Sequence, residues 1–249
     1  MNGAYTASFL PLDNNVVNQH FFFEELIDAT AKLEVYKEKI KDSKLNSAWF
    51  MPTLQQKEAL ASSALESTQA TLDGVLINQV VPNEKDKNLN EVATVKGYDY
   101  LRRHDFTDEF FFQMHASLMQ GNVRKPSLVG AYRKEQNYIG RNDASHAITF
   151  IPPKPSCIPE LMKNLIKYIN NSEDKFRPLV RTAIIHAQFE TIHPFMDGNG
   201  RLSRLIMNGL LTAKSYPRII IRNQDKGFYY DAIEDSLKVG KYDAWLKFM

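Results

Sequence analysis

The chain has 249 residues, of which 43% are hydrophobic and 24% charged, and its formal net charge is +2 at pH 7. These values predict a globular protein with a sizeable core, and they give no electrostatic reason to expect a nucleic-acid or membrane partner. Cys157 is the single cysteine, which excludes an intrachain disulfide, and the sequence contains neither a targeting segment nor an apolar run of ~20 residues. We therefore expect a soluble, cytoplasmic protein.

Helical periodicity dominates the chain. Thr53 is a candidate N-cap for the second helix, and Thr107 begins the fifth with Asp108 and Glu109 in its first turn, where acidic side chains suit the helix dipole. In chain order, apolar spacing predicts helices over residues 21–41, 55–67, 72–79, 91–102, 107–119, 158–170, 176–192, 201–213, 228–238 and 243–248.

Three segments between these helices have other patterns. The polar stretch 81–90 predicts a loop, and we place near it the boundary between an N-terminal helical region, residues 1–85, and a main domain, residues 86–249. Residues 121–142 contain a proline and three glycines and predict a long ordered loop. The β-branched and aromatic stretch 147–151 stops at two prolines and predicts a strand or hairpin. The expected architecture is all-α with one small β element.

Residues 193–204 read His-Pro-Phe-Met-Asp-Gly-Asn-Gly-Arg-Leu-Ser-Arg and combine several groups suited to phosphate chemistry. Pro194 disfavours helical geometry at His193, so the preceding helix should end there. The ordinary pKa of a histidine, near ~6.5, suits a general base. Asp197 is a carboxylate beside the expected phosphate site, and such a carboxylate is a usual anchor for Mg²⁺.

The same segment predicts an anion-binding nest. Gly198 and Gly200 flank Asn199 and permit positive φ angles, so successive backbone N–H groups can converge at the positive end of the next helix. Arg201 and Arg204 are three residues apart and lie on neighbouring positions of one helix face. Backbone donors and two guanidinium groups aimed at one place suit a di- or triphosphate.

This segment resembles, without mismatch, the signature of the Fic (filamentation induced by cAMP) family, His-x-Phe-x-Asp/Glu-Gly-Asn-Gly-Arg-x-x-Arg. Residues 118–141, which include Gly130-Ala131-Tyr132-Arg133, resemble the loop before the flap of that family, and Thr149-Phe150-Ile151-Pro152-Pro153 resembles the flap hairpin. The resemblance covers roughly residues 54–248. It implies a Fic-type helical domain with a small β-hairpin flap and an N-terminal helical extension.

The resemblance implies a protein adenylyltransferase. In this family the histidine, here His193, deprotonates a Ser, Thr or Tyr hydroxyl of a target protein, the oxygen attacks the α-phosphate of ATP, and pyrophosphate leaves. The flap, residues 146–153, holds an extended stretch of the target by strand addition. The resemblance also implies that Asp197 binds Mg²⁺, that Gly198, Asn199 and Gly200 form the anion nest, and that Arg201 and Arg204 bind the phosphates. It implies that Phe195 anchors the loop in the core and that Tyr229 or Tyr230 lines the base of the nucleotide. Target binding is implied for Thr149, Phe150 and Ile151.

The N-terminal region resembles an inhibitory helix of the same family. The run Ser62-Ser63-Ala64-Leu65-Glu66-Ser67 matches the family's pattern Ser/Thr-x-x-x-Glu-Gly/Asn except at Ser67. The resemblance implies that Glu66 pairs with Arg204 and skews ATP in the site. It also implies that the chain itself can be a target and that a homodimer can form. Members of the family often continue into a winged-helix domain.

Other readings of the residues stay open. His186, Glu190 and His193 share helical spacing and, with Asp197, could form a Zn²⁺ or Fe²⁺ ligand set of a metal hydrolase. The anion nest has no clear role in that scheme, which favours packing and supporting roles for His186 and Glu190. A second alternative is a module that uses nucleotide only to switch a partner interaction. Within the family, UMP or GMP transfer and the removal of AMP are further alternatives.

Overall fold

The computed structural model describes residues 4–12, 16–43, 47–81, 86, 105–120, 129–140, 148–171 and 176–249. Within these residues the protein is mostly helical and has one small antiparallel sheet, which confirms the predicted fold class. The helices are α1 (Phe23–Asp42), α2 (Ser47–Leu65), α3 (Leu72–Val80), α4 (Asp108–Leu118), α5 (Ile158–Asn170), α6 (Pro178–Ile192), α7 (Asn199–Ala213), α8 (Lys226–Val239) and α9 (Asp243–Phe248), and the strands are β1 (Ile139–Gly140) and β2 (Ile148–Phe150). Short 3-10 turns cover Gln19–Phe22, Pro155–Cys157 and Asn223–Asp225.

Helices α6 and α7 form the centre of the core. Nearly every residue of α6 is buried, as expected for a helix that other elements surround on all sides. Helix α7 packs against α6, and α2, α4, α5 and α9 pack around this pair. The loop between α6 and α7 therefore starts and ends on the two most buried helices, so its ends have little freedom to move. None of the described helices combines the length and the apolar character needed to cross a bilayer.

Several predicted boundaries were wrong. Helix α2 begins at Ser47 and runs through Pro52, so Thr53 lies inside the helix and is not its N-cap. Pro52 is the sixth residue of this helix and cannot donate to the carbonyl four residues earlier, yet the helix continues through it. Helix α7 begins at Asn199, two residues earlier than predicted. Strand β1 lies inside the segment predicted to be a loop, and its pairing with β2 is a non-local contact that local pattern does not reveal.

The N-terminal segment packs on the main domain. The backbone N–H of Leu10 donates to Asn164 Oδ1 at 2.8 Å, and Asn164 Nδ2 donates back to the Leu10 carbonyl at 2.9 Å. Gln188 Nε2 donates to the Ser8 carbonyl at 2.7 Å. Residues from both sides of the proposed boundary at 85/86 share one hydrophobic core. That boundary, most of the loop 81–90 and the predicted helix 91–102 lie outside the described residues, so the division into two domains stays a prediction.

The two-stranded sheet forms a flap against α8. Strands β1 and β2 are antiparallel, with Ile139 opposite Phe150. On the β2 side, the N–H of Tyr5 donates to the Ile151 carbonyl at 2.9 Å, and the Tyr5 and Phe150 rings lie 5.2 Å apart. The N-terminal segment and α8 thus hold the flap close to the α6–α7 loop.

Candidate active site

The α6–α7 loop begins where the sequence predicts. His193 caps α6 in a left-handed conformation with φ of +48°, and its N–H donates to the Phe189 carbonyl at 2.9 Å. Pro194 follows, so the helix cannot continue. The side chain of His193 is 19% exposed and faces a cavity.

Asn199 closes the loop by bonding to the backbone of Phe195. Phe195 N donates to Asn199 Oδ1 at 2.9 Å, and Asn199 Nδ2 donates to the Phe195 carbonyl at 2.8 Å. The Phe195 ring is fully buried and stacks on His115, with ring centroids 4.0 Å apart. The side chain of Asn199 is therefore occupied in shaping the loop, and only its backbone can contribute to an anion nest.

Glycine is needed at positions 198 and 200 for different reasons. Gly198 has φ of +75° and caps α7, and a Cβ there would lie 2.8 Å from Met119 Sδ. Gly200 lies inside α7 and is not among the glycines with positive φ, so only Gly198 uses the positive φ that the sequence permits at both glycines. The need at Gly200 is close approach, because a Cβ would lie 2.5 Å from Glu66 Oε1 and 3.0 Å from Arg204 Nη1. A carboxylate thus sits directly against the first turn of α7.

Glu66 and Ser62 surround the Arg204 guanidinium. Arg204 Nη2 lies 2.7 Å from Glu66 Oε1 and donates to the Ser62 carbonyl at 2.9 Å, while Arg204 Nε donates to Ser62 Oγ at 2.9 Å. Arg204 is 3% exposed, whereas the Glu66 side chain is 36% exposed at the edge of the cavity. Burial alone would raise the pKa of Glu66. The charge and hydrogen bond of Arg204, together with the charges of Arg201 and His193, outweigh burial and hold that pKa below its usual range.

Arg201 faces a different neighbourhood from Arg204. Its Nη2 lies 3.7 Å from Asp197 Oδ1 and 3.6 Å from Met119 Sδ. Asp197 Oδ1 also accepts from the Gly198 N–H at 2.6 Å, and the Asp197 side chain is 74% exposed. The two arginines lie three residues apart as predicted, but Arg204 points toward α2 and α8 and Arg201 toward the loop and the end of α4.

Two residues that hold the loop were missed by sequence reasoning. His115, on α4, accepts from the Gly130 N–H through Nδ1 at 3.0 Å, so its Nε2 carries the proton and donates to the Asp197 carbonyl at 3.0 Å. Arg133 is 2% exposed and joins the loop to the flap: Nε donates to the His193 carbonyl at 2.8 Å and Nη2 to the Pro153 carbonyl at 2.5 Å. The run Gly130–Arg133 was noticed for its family resemblance, and that was the only signal for Arg133. No pattern in the sequence indicated His115.

Burial sets the protonation state of the candidate base. Desolvation, together with the nearby charge of Arg133, lowers the pKa of His193 to about 4. The imidazole is therefore neutral at pH 7 and can accept a proton without first losing one. The ordinary pKa assumed from sequence is too high for this buried position.

A cavity of about 590 Å³ opens between α7, α8, the end of α2 and the flap. Its volume is that of a typical small-molecule site. The structure brings together on its wall many of the predicted site residues, while Gly198, Asn199, Arg201 and Asp197 lie beside it at the start of α7. The predicted residues that line it are His193, Gly200, Arg204, Glu66, Tyr229, Tyr230, Thr149 and Phe150.

The two tyrosines of α8 differ in what they offer a ligand. Tyr229 is 1% exposed, and its hydroxyl lies 3.3 Å from both Arg204 Nη1 and His186 Nε2. Tyr230 is half-buried, and its hydroxyl donates to the Leu65 carbonyl at 3.3 Å. Because the Tyr229 hydroxyl already contacts Arg204 and His186, Tyr230 is the better candidate to contact a base.

The structure gives no support to a metal hydrolase. Burial lowers the pKa of His186 to about 3, and its Nε2 faces the Tyr229 hydroxyl. Among the described residues, no group of three or more His, Cys, Asp or Glu side chains is arranged to hold a metal ion. His186 is best described as a packing residue of the core.

Comparisons with known proteins find a family and relatives for this chain. The Fic/DOC family description matches residues 105–211, and the Fic/DOC family N-terminal description matches residues 23–100. A protein of Aedes aegypti named protein adenylyltransferase Fic is 37% identical over 180 residues, which are 71% of this chain and 33% of that protein. The Drosophila melanogaster protein of the same name is 31% identical over 154 residues, 58% of this chain and 29% of that protein. The chain spans about a third of the length of these curated relatives.

Solved structures share the fold. A Fic domain containing signaling protein from Bacteroides thetaiotaomicron superposes with a TM-score of 0.70 at 20% identity, covering 86% of this chain and 89% of that one. Fic-1 from C. elegans superposes with a TM-score of 0.71 at 19% identity, covering 90% of this chain and 70% of that one. At this level of identity the likeness concerns the fold.

Proposed function

Because the chain belongs to the Fic/DOC family, we propose that it transfers AMP from ATP to a Ser, Thr or Tyr hydroxyl of a target protein. The curated relatives are named protein adenylyltransferase Fic, and the cavity beside His193 supports the same activity here. The observation that carries the proposal is the neutral imidazole of His193 on the same cavity wall as Arg204 and the first turn of α7, where the glycine at position 200 leaves room for an anion.

The proposed reaction needs few groups from the protein. His193 accepts the proton of the target hydroxyl, the oxygen forms a bond to the α-phosphorus, and the bond to the bridging oxygen breaks as pyrophosphate leaves. Arg204 and the backbone N–H groups at the start of α7 bind the phosphate chain. Arg201, beside Asp197, adds positive charge at the same helix end.

Asp197 is the proposed Mg²⁺ ligand. Its carboxylate is exposed, next to the start of α7, and held in place by the Gly198 N–H. One carboxylate fits an ion that usually takes one or two protein ligands together with substrate phosphates and water. Bound with the nucleotide, Mg²⁺ would neutralise phosphate charge.

We propose that Glu66 inhibits this reaction. Its carboxylate pairs with Arg204 at 2.7 Å and lies so close to Gly200 that a Cβ would not fit between them. Glu66 thus acts as an internal anion at the place where a phosphate group would bind. ATP must either displace it or bind in a skewed position.

Further parts of the proposal concern partners. Thr149 and Phe150 line the cavity and Ile151 follows them, which supports binding of an extended target segment at the flap. We also propose a cytoplasmic location, modification of the chain by itself and a homodimer.

The test of both proposals is labelling with radioactive ATP and Mg²⁺ by the unmutated chain and by Glu66→Gly. Because Arg204 loses its ion-pair partner in Glu66→Gly, we expect this variant to label itself or proteins of a lysate at least about tenfold more than the unmutated chain does. A tenfold increase corresponds to ~1.4 kcal/mol. Mass spectrometry of the product should find one added adenylyl group. Added UMP or GMP would instead identify another nucleotide, and loss of AMP from a pre-modified protein would identify the reverse activity.

Two further variants serve as controls. Glu66→Gln keeps the size of the side chain but removes its charge, so its labelling should be intermediate. Adding His193→Ala to Glu66→Gly should abolish labelling while ATP still binds. Equal labelling by the unmutated chain and Glu66→Gly would contradict the inhibitory role. Binding of ATP without any labelling by either would contradict transfer and favour a nucleotide-switched module.

A further inference from the structure

Glu190 is a buried carboxyl group next to the candidate base. It lies on the last turn of α6 and is 8% exposed. Its Oε2 is 3.8 Å from His193 Nδ1. That nitrogen is buried and has no hydrogen-bond partner within the described part of the chain. A buried ring nitrogen and a carboxylate oxygen thus face each other just beyond hydrogen-bond distance.

The other oxygen of Glu190 is held in place. Ser203, one turn into α7, donates its hydroxyl to Glu190 Oε1. Both residues lie outside the fixed positions of the family signature, since Ser203 occupies one of its variable places. Anchoring one oxygen leaves Oε2 directed at the imidazole, and a small rotation of the carboxyl group would close the gap to a hydrogen bond.

We propose that Glu190 is a positioning residue for His193: its carboxylate accepts a hydrogen bond from Nδ1–H and so directs the lone pair of Nε2 into the cavity. This inference rests on the proposed function, in which His193 is the general base. The main-chain carbonyl of Glu190 is the competing acceptor on this side of the ring. The carboxylate adds a negative charge, which the carbonyl lacks.

The charge matters when the proton moves. Before the reaction, His193 is neutral and carries its hydrogen on Nδ1. The target hydroxyl gives its proton to Nε2, the oxygen bonds to the α-phosphorus, and pyrophosphate leaves with the electron pair of the broken bond. His193 is then an imidazolium with hydrogen on both nitrogens, and a carboxylate beside Nδ1 stabilises that positive charge.

The environment of Glu190 predicts how this effect varies with pH. Burial raises the pKa of Glu190 to about 7, partly offset by Ser203 and Arg204, and Glu66 raises it further. The Tyr229 and Tyr230 hydroxyls also face this group from α8. Below this pKa the carboxyl group is protonated and loses its negative charge. The rate of transfer should therefore rise with pH through the neutral range and level off above it.

The experiment compares Glu190→Gln with its parent in a Glu66→Gly background, from about pH 5 to about pH 9. The amide keeps a hydrogen bond to Ser203 but has no charge. We expect unchanged ATP binding and a plateau rate at least about tenfold lower for Glu190→Gln. In the parent the rate should fall on the acid side at the pKa of Glu190, which the loss of Glu66 lowers, and in Glu190→Gln this fall should move toward the lower pKa of His193. Glu160→Gln, on the exposed face of α5, is the matched control and should behave as the parent.

The outcomes separate this inference from the proposed function. If Glu66→Gly labels and Glu190→Gln has the same rate and pH profile, the transferase stands and the role of Glu190 is contradicted. A lower rate with an unshifted profile also contradicts it, because that result indicates packing alone. If Glu190→Gln does not fold, ¹⁵N NMR of the His193 ring in the Glu66→Gly chain gives the answer. We expect hydrogen on Nδ1 and a shift that follows the titration of Glu190, and hydrogen on Nε2 would overturn the proposal.

Discussion

Arg204 donates hydrogen bonds to three acceptors on one face of α2 and the turn after it: the Ser62 hydroxyl, the Ser62 carbonyl and the Glu66 carboxylate. Only the last carries charge, but each contact helps to keep the guanidinium bonded to α2 and the turn after it instead of to a phosphate group. At the scale of single residues, inhibition should therefore depend on Ser62 as well as on Glu66.

Ser62→Ala removes one of these acceptors. A hydrogen bond to a charged group is worth about 1.5 kcal/mol at the lower end of its range, and the Ser62 carbonyl remains as an acceptor, so we expect labelling to increase by up to roughly tenfold, and less than in Glu66→Gly. The neighbouring Ser63 is the matched control, because it is fully buried and its hydroxyl has no hydrogen-bond partner among the described residues. Ser63→Ala should leave labelling within about twofold. If both serine variants activate equally, the effect comes from loosening of α2 and not from the bond to Arg204.

At the scale of elements, the end of α2 determines where Glu66 lies. Ser67 has φ of +71°, its N–H donates to the Ala64 carbonyl at 3.0 Å, and the Thr68 N–H donates to the Ser63 carbonyl at 3.1 Å. These are the two hydrogen bonds of a Schellman motif, with Ser67 at the position that glycine usually occupies. The family's Gly or Asn at this position has a backbone reason, and serine adopts the same conformation at a cost.

Ser67→Gly should relieve that cost. A left-handed conformation is unfavourable by ~1 kcal/mol for a residue with a Cβ, so the variant should melt about 2–4 °C higher. Because the helix end is then more stable, labelling should be lower than in the unmutated chain. Ser67→Ala retains the Cβ, so it should show neither the higher melting temperature nor the lower labelling. A melting temperature of Ser67→Gly below that of the unmutated chain would contradict this account of the helix end.

At the scale of the whole molecule, α2 is part of the core, and a carboxyl group is buried with it. Glu58 is 2% exposed, and burial raises its pKa to about 8 despite a hydrogen bond from Asn208 and the charges of Arg218 and Arg204. Between its ordinary pKa of 4.5 and about 8, the folded protein binds this proton more strongly than the unfolded chain does. The free energy of unfolding must therefore decrease as the pH rises through that range.

Glu58→Gln should remove this part of the pH dependence. The expected difference in slope between the two proteins is at most ~1.4 kcal/mol per pH unit, measured by urea unfolding at a series of pH values. Glu160→Gln, which changes an exposed glutamate, should retain the slope of the unmutated chain. Parallel curves for Glu58→Gln and the unmutated chain would show that Glu58 titrates normally in the folded state.

The sequence by itself determined the helical architecture, most helix positions and the place of the site. Residues 193–204 predicted the end of α6 at His193, because Pro194 acts on the backbone next to it. The candidate anion site and the candidate base follow from the same short segment. These features depend on local chemistry: a proline, two glycines and charged side chains at fixed spacing.

Only the tertiary structure decided what surrounds that segment. Ser62 and Arg204 are 142 residues apart in sequence, Arg133 and His193 are 60 apart, and no local pattern reports either contact. The reason for glycine at position 200 is the carboxylate of Glu66 against it, and the reason for the low pKa of His193 is its burial. Close approach and desolvation are properties of packed neighbours, so they exist only once distant parts of the chain have come together.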